Sequence, residues 1–84
     1  MPKRWPPLDL REVVGILKAL GLEYTHSSGG HDFYKGVYKG LARRVTVDPK
    51  NAPFSDDLLK WMSEQAGCTR DEFYKATPKT AKKI

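Results

Sequence analysis

Residues 22–26, 32–38 and 41–47 each have strand character, and the links between them are too short to hold a crossover helix. A parallel pair needs a connection of a dozen residues or more, so consecutive strands joined this closely pair antiparallel. Leu22-Glu23-Tyr24-Thr25-His26 alternates as a half-buried strand does, and residues 27–30 form a turn. The second stretch is rich in aromatic and β-branched residues. Its alternation places Phe33, Lys35 and Val37 on one face and Tyr34 and Tyr38 on the other, with Gly36 predicted as a bulge that shifts the register. Lys39-Gly40 is a hairpin turn. In the third stretch Leu41, Val45 and Val47 share one face, and Arg44 and Thr46 take the other.

The flanks supply what this sheet must bury against. Asp9 is a helix N-cap with Glu12 in capping-box position, and Leu10, Val13, Val14, Leu17 and Leu20 mark one helical face up to Gly21. The spacing predicts a helix over 10–20. Residues 48–53, with two prolines, break the third strand. Ser55 caps a second helix, Asp56 and Asp57 suit its positive end, and Leu58, Leu59, Trp61, Met62 and Ala66 form its expected buried stripe before Gly67. Thr69 with Glu72 is a second capping box, opening a short helix that ends near Lys75. The fold expected is α+β, in the order α-β-β-β-α with a short extra C-terminal helix. A three-stranded antiparallel sheet is covered on one face by two helices and left open on the other. One domain accounts for all 84 residues: an extended, proline-rich arm over 1–8, on which Trp5 folds back, a body over 9–75, and a basic flexible tail over 76–84.

A chain of this size buries only about 60% of its unfolded surface, so its margin of stability is thin. Cys68 is the only cysteine, which excludes an internal disulfide and fits a reducing, cytoplasmic setting. As a nucleophile it has no histidine near it in sequence, and two histidines with one cysteine at irregular spacing do not make a metal-ligand set. The longest apolar patch is interrupted by Gly15, so neither a signal peptide nor a membrane span is expected.

Charge is unevenly placed. The net charge is +5, but residues 31–50 carry five cations (Lys35, Lys39, Arg43, Arg44, Lys50) against Asp32 and Asp48. Residues 51–74 reverse the balance, with Lys60 and Arg70 against five acids. A basic centre beside an acidic flank favours an anionic partner, RNA or DNA first, over an evenly solvated surface. The basic segment begins at Gly29-Gly30-His31. Two glycines give a tight turn without side chains, and the imidazole after it can take or give a proton near neutral pH. His31 is therefore the candidate catalytic residue. Gly29, Gly30, Lys35, Lys39, Arg43 and Arg44 are the candidate phosphate contacts, and no metal or other cofactor is expected. His26 ends a strand at the surface, while Tyr34, Tyr38, Trp61 and Met62 are expected in the core.

In order along residues 12–73, about three quarters of the chain, Leu20-Gly21-Leu22-Glu23, Gly29-Gly30-His31, Phe33-Tyr34-Lys35, Arg44-Val45-Thr46-Val47, Gln65-Ala66-Gly67 and Asp71-Glu72-Phe73 resemble the HicA-type (YcfA-like) toxins. These are small bacterial mRNA interferases whose fold is related to the double-stranded-RNA-binding domain. The family's active histidine lies in a Gly-Ser-His motif that maps onto His31, with Gly30 in place of the serine. Asp32 and Asp48-Pro49-Lys50 also depart from the family pattern. The resemblance implies a metal-independent endoribonuclease acting on mRNA as the toxin of a type II toxin-antitoxin pair, with a HicB-like antitoxin covering His31. In that chemistry the RNA 2′-hydroxyl is the nucleophile, His31 moves the proton, and Arg43, Arg44 or Lys35 offsets charge on the phosphorus oxygens. The product expected is a 2′,3′-cyclic phosphate. The alternatives are a catalytically silent RNA-binding module of the same fold, and a protein-interaction domain using the open sheet face or the acidic second helix.

Overall fold

The first helix, α1 (Leu10–Ala19), begins where the capping pattern places it. In the computed structural model, which describes residues 5–84, the Asp9 carboxylate accepts from the Glu12 amide (2.8 Å) and Glu12 Oε1 accepts from the Asp9 amide (3.0 Å). The helix stops one residue earlier than the spacing suggests, with Leu20 as C-cap and Gly21 at φ +90° carrying the chain into the sheet. Lys3 and Arg4, at the front of the chain, lie outside the described residues.

The strands β1 (Leu22–Ser28), β2 (His31–Tyr38) and β3 (Leu41–Val47) form one antiparallel sheet in the order β1-β2-β3. β1 runs two residues further than expected, so the turn shrinks to Gly29-Gly30 and His31 becomes the first residue of β2. The bulge is not at Gly36. That residue keeps regular register, with Leu22 on one side and Arg43 on the other, and the extra residue is Thr25 of β1. Gly36 is glycine for a different reason: a Cβ there would run into the Gly21 carbonyl oxygen and approach Leu22 Cα to 3.0 Å.

A 3-10 turn (Pro49–Asn51) leads to α2 (Asp56–Ala66), then α3 (Arg70–Lys75) and α4 (Pro78–Ala81). Ser55 holds the N-cap position of α2 but makes no side-chain capping bond, whereas Thr69 and Glu72 form the second capping box. The first helix lies against β1 and the second against β3. Their apolar stripes (Val13, Ile16, Leu17; Leu59, Met62, Ala66) close over Leu22, Tyr34, Val45 and Val47. The opposite sheet face, bearing Phe33, Lys35, Val37 and Arg44, has no helix on it.

Both ends of the described chain are tied to this body. Leu8 is fully buried and exchanges two backbone hydrogen bonds with Phe54. Trp5 does fold back, its ring 5.2 Å from that of Tyr74, whose hydroxyl donates to the Pro6 carbonyl. The stretch 76–84, expected as a frayed tail, instead forms α4 and docks. Thr80 is buried and its hydroxyl donates to the Tyr74 carbonyl (2.5 Å), while Lys83 Nζ reaches Glu12 Oε2 at 2.6 Å. The tail's lysines hid this from the sequence, because one of them is neutralised by a nearly enclosed acid on α1. Among the described residues no helix is long and apolar enough to cross a membrane.

Candidate active site at the glycine turn

His31 stands on β2 immediately after two residues of positive φ, Gly29 (+60°) and Gly30 (+84°). A side chain other than glycine is strained there, so the turn leaves bare backbone beside the imidazole. The ring is open to solvent, with the side chain 46% exposed. Its Nδ1 lies 3.9 Å from Asp48 Oδ2, beyond hydrogen-bond reach. Asp48 is itself held: it caps the 3-10 turn, accepting from the Lys50 amide (3.1 Å) and from Asn51 Nδ2 (3.4 Å). The Lys50 ammonium lies alongside the turn, 3.6 Å from where a Gly30 Cβ would sit. A cation therefore stands against the turn that precedes His31.

The cations expected to surround His31 divide into two groups. Lys35 and Arg44 are cross-strand partners on the open sheet face, and both are exposed. Arg44 lies over the Phe33 ring (5.3 Å), and His26 stacks on Phe33 with ring centroids 4.8 Å apart and planes at 22°. The Thr25 bulge makes this stack possible by bringing His26, not Thr25, opposite Phe33. Cation, aromatic ring and imidazole therefore form one stack on the open sheet face.

Lys39 and Arg43 are engaged elsewhere. Lys39 follows the far end of β2, eight residues from His31, or roughly 25 Å along an extended strand. Its ammonium bonds both Glu72 carboxylate oxygens (2.9 and 3.2 Å), which holds the Glu72 carboxyl below its usual range and the lysine above its own. Arg43 pairs with Gly36 in the register and points to the helix side, where its Nε donates to the Tyr38 carbonyl (3.2 Å). Its guanidinium covers Gly67 at the C-terminus of α2, so closely that a Cβ on Gly67 would collide with it. A cation at a helix C-terminus is favourable, and Arg43 thereby joins sheet to helix.

Beside His31 is a cleft of about 340 Å³ between the end of the sheet, the 3-10 turn and α2. Its floor is apolar, from Phe54, Leu58 and Met62, and its walls carry His31, Thr46, Asp48, Asn51 and Gln65. Trp61 lines it as well. Counted with the apolar residues of α2, this tryptophan is expected in the core, yet it is 68% exposed. The stripe that α2 buries runs through Leu59, Met62 and Ala66, and at about 100° per residue Trp61 falls well off that line.

Asp48, Lys50, Asn51, Gln65 and Trp61 were not identified from the sequence as neighbours of His31. One signal was available. With Lys39-Gly40 as a two-residue turn, Tyr38 pairs with Leu41, and counting back along both strands sets His31 opposite Asp48. Gln65 had no such signal; its Oε1 accepts from the Thr46 amide on the outer edge of β3 (3.1 Å), a contact set by how α2 packs. Cys68 is buried, its thiol pushed up to about 11 by desolvation, and so is unsuited to nucleophilic attack. Among the described residues no three His, Cys, Asp or Glu side chains group as a metal site. Comparison with protein-family models, with curated proteins and with solved structures finds no match for this chain.

Proposed function

We propose that this protein is an RNA-cleaving enzyme of the HicA-like type, in which His31 moves protons during attack of a ribose 2′-hydroxyl on the adjoining phosphate. The observation that carries the reading is the position of His31: solvent-open at a bare glycine turn, 3.9 Å from Asp48, with Lys50 alongside. The 2′-oxygen bonds to phosphorus, the bond from phosphorus to the 5′-oxygen breaks, and the 2′-hydroxyl proton passes to the imidazole. The departing 5′-oxygen takes a proton back, leaving a 2′,3′-cyclic phosphate and a 5′-hydroxyl. Because the substrate brings its own nucleophile, no metal-activated water is required. The Asp48 carboxylate lies beside the imidazole, and Lys50, with Lys35 and Arg44 further along the strand, attracts the phosphates. On this reading mRNA is the substrate, and a HicB-like antitoxin that covers His31 is the expected protein partner.

A second reading, an RNA-binding module without catalysis, is favoured by the His26–Phe33–Arg44 stack, which suits bases of a single strand whether or not they are cut. Incubation of purified protein with RNA, beside His31→Ala, separates the two. The enzyme reading expects cyclic-phosphate ends, activity that survives chelators, and a loss of about 100-fold or more in the variant. Cleavage unchanged in His31→Ala, or 5′-phosphate ends, refutes it. Binding without cleavage by wild-type protein supports the module instead.

A further inference from the structure

We infer that the cleft beside His31 is a nucleobase pocket, which receives the base next to the phosphate that His31 addresses and gives the protein a base preference. The inference rests on the RNA reading above and extends it to residues that carry no part of the proton transfer.

Three observations converge. The first is Trp61. A large aromatic on an amphipathic helix is ordinarily turned to the core, and this one is 68% exposed at the edge of a cleft with an apolar floor. An indole in that position is a stacking surface, and every base has a face to place on it. The second is size: about 340 Å³ lies at the lower end of the range for small-ligand sites and accommodates one base with its sugar edge. The third is the polar lining. Gln65 commits its Oε1 to the Thr46 amide, so its side chain offers N–H donors to the cleft. Asn51 gives one N–H to Asp48 and retains a carbonyl acceptor. A donor and an acceptor thus line a cleft that also has apolar walls, an arrangement that discriminates between base edges and gains little from an aliphatic ligand.

Charge fixes the direction of entry. On its outer side Trp61 adjoins Asp57 and Glu64, with Lys60 between them, a poor path for phosphates. His31 lines the cleft itself, and the Lys50 ammonium lies against the glycine turn that precedes it. A strand therefore enters with its phosphate at the glycine turn and its base under Trp61, which sets the adjoining 2′-hydroxyl next to the imidazole.

Short 2′-O-methyl homooligonucleotides of A, C, G and U test this, because they lack the free hydroxyl and cannot be cut. Binding is read by anisotropy of a labelled end for wild type, Trp61→Ala, Trp61→Phe, Asn51→Ala and Gln65→Ala. We expect one base to be preferred, Trp61→Ala to weaken that oligonucleotide about 5- to 100-fold, and Trp61→Phe to restore much of the loss. Asn51→Ala and Gln65→Ala should narrow the differences among the four bases. The inference is overturned if all four bind alike to wild type, if Trp61→Ala binds as wild type does, or if Trp61→Ala impairs only a protein contact. The two readings fail separately: base-selective binding without RNA cleavage sinks the enzyme, and cleavage indifferent to Trp61 sinks the pocket.

Discussion

Removing residues 78–84 should destabilise the whole domain, although a lysine-rich terminus ordinarily contributes little. The truncation deletes Thr80, whose buried hydroxyl donates to the Tyr74 carbonyl; one such bond is worth about 1 kcal/mol. It also deletes Lys83, the partner of Glu12 Oε2 at 2.6 Å. The Glu12 side chain is only 6% exposed, whereas Lys83 is 35% exposed, so the pair is neither a surface bridge nor a sealed one. Leaving that carboxylate without its cation costs about 1–3 kcal/mol, taken toward the lower end because water reaches the ammonium. The apolar contacts of Ile84 and the Thr80 methyl add about 1 kcal/mol. The sum, about 3–5 kcal/mol, is a large part of the total of about 4–13 kcal/mol expected for a domain of this length. Urea denaturation followed by circular dichroism should show the midpoint falling by about 2 M. Glu12→Gln keeps an acceptor for the Asp9 amide but needs no cation, so truncation in that background should cost about 1–2 kcal/mol less. A truncated chain that melts with the full one, or costs that simply add, would refute the clasp.

Arg44→Ala and Arg43→Ala should behave oppositely. Loss of Arg44 should reduce the salt dependence of RNA binding by about one phosphate contact, read as the slope of log affinity against log salt, while leaving stability nearly unchanged. Loss of Arg43 should leave that slope unaltered and lower the unfolding midpoint, because its guanidinium joins β3 to the end of α2. Gly36→Ala should cost about 1–3 kcal/mol by urea titration, since the new methyl meets backbone of the neighbouring strand and not a movable side chain. Stability should be constant from about neutrality to about pH 9 and decline through pH 12. Burial holds the Cys68 thiol up to about 11 and the Tyr74 phenol up to about 12, so the unfolded chain loses these protons first and alkali favours it. An alkaline titration monitored by far-UV dichroism that stays level to pH 12 would contradict this.

The capping boxes at Asp9 and Thr69, the glycine after α1 and the two strand links were all legible, because each is decided by residues within four positions of one another. The order of strands followed from link length alone. What escaped the sequence depends on distant packing. Trp61 is the exception: at about 100° per residue it falls well off the stripe through Leu59, Met62 and Ala66, so its exposure was legible in the helical spacing. Thr25 looks like any strand threonine, and the bulge it forms shows only when β1 is paired with β2. The tail lysines look solvated until Glu12 is found beneath one of them. For the candidate site, the His31 turn and the exposed pair Lys35 and Arg44 were visible as residues. That Lys39 and Arg43 belong to the scaffold was not, since their partners, Glu72 and the α2 terminus, lie about 25–35 residues away in the chain.

The Thr25 bulge also bears on how this molecule behaves at high concentration. β1 is one of the two outer strands of the sheet, and six of its seven residues are exposed. A straight rim of that length offers a second molecule a ready ladder of amides and carbonyls. An inserted residue kinks the rim and breaks the repeat that a neighbouring copy would need. Excising Thr25 would leave His26 opposite Phe33 and every core contact in place, yet straighten the border. The penalty would then fall on colloidal behaviour, as edge-to-edge aggregation, and not on the folding of the single chain.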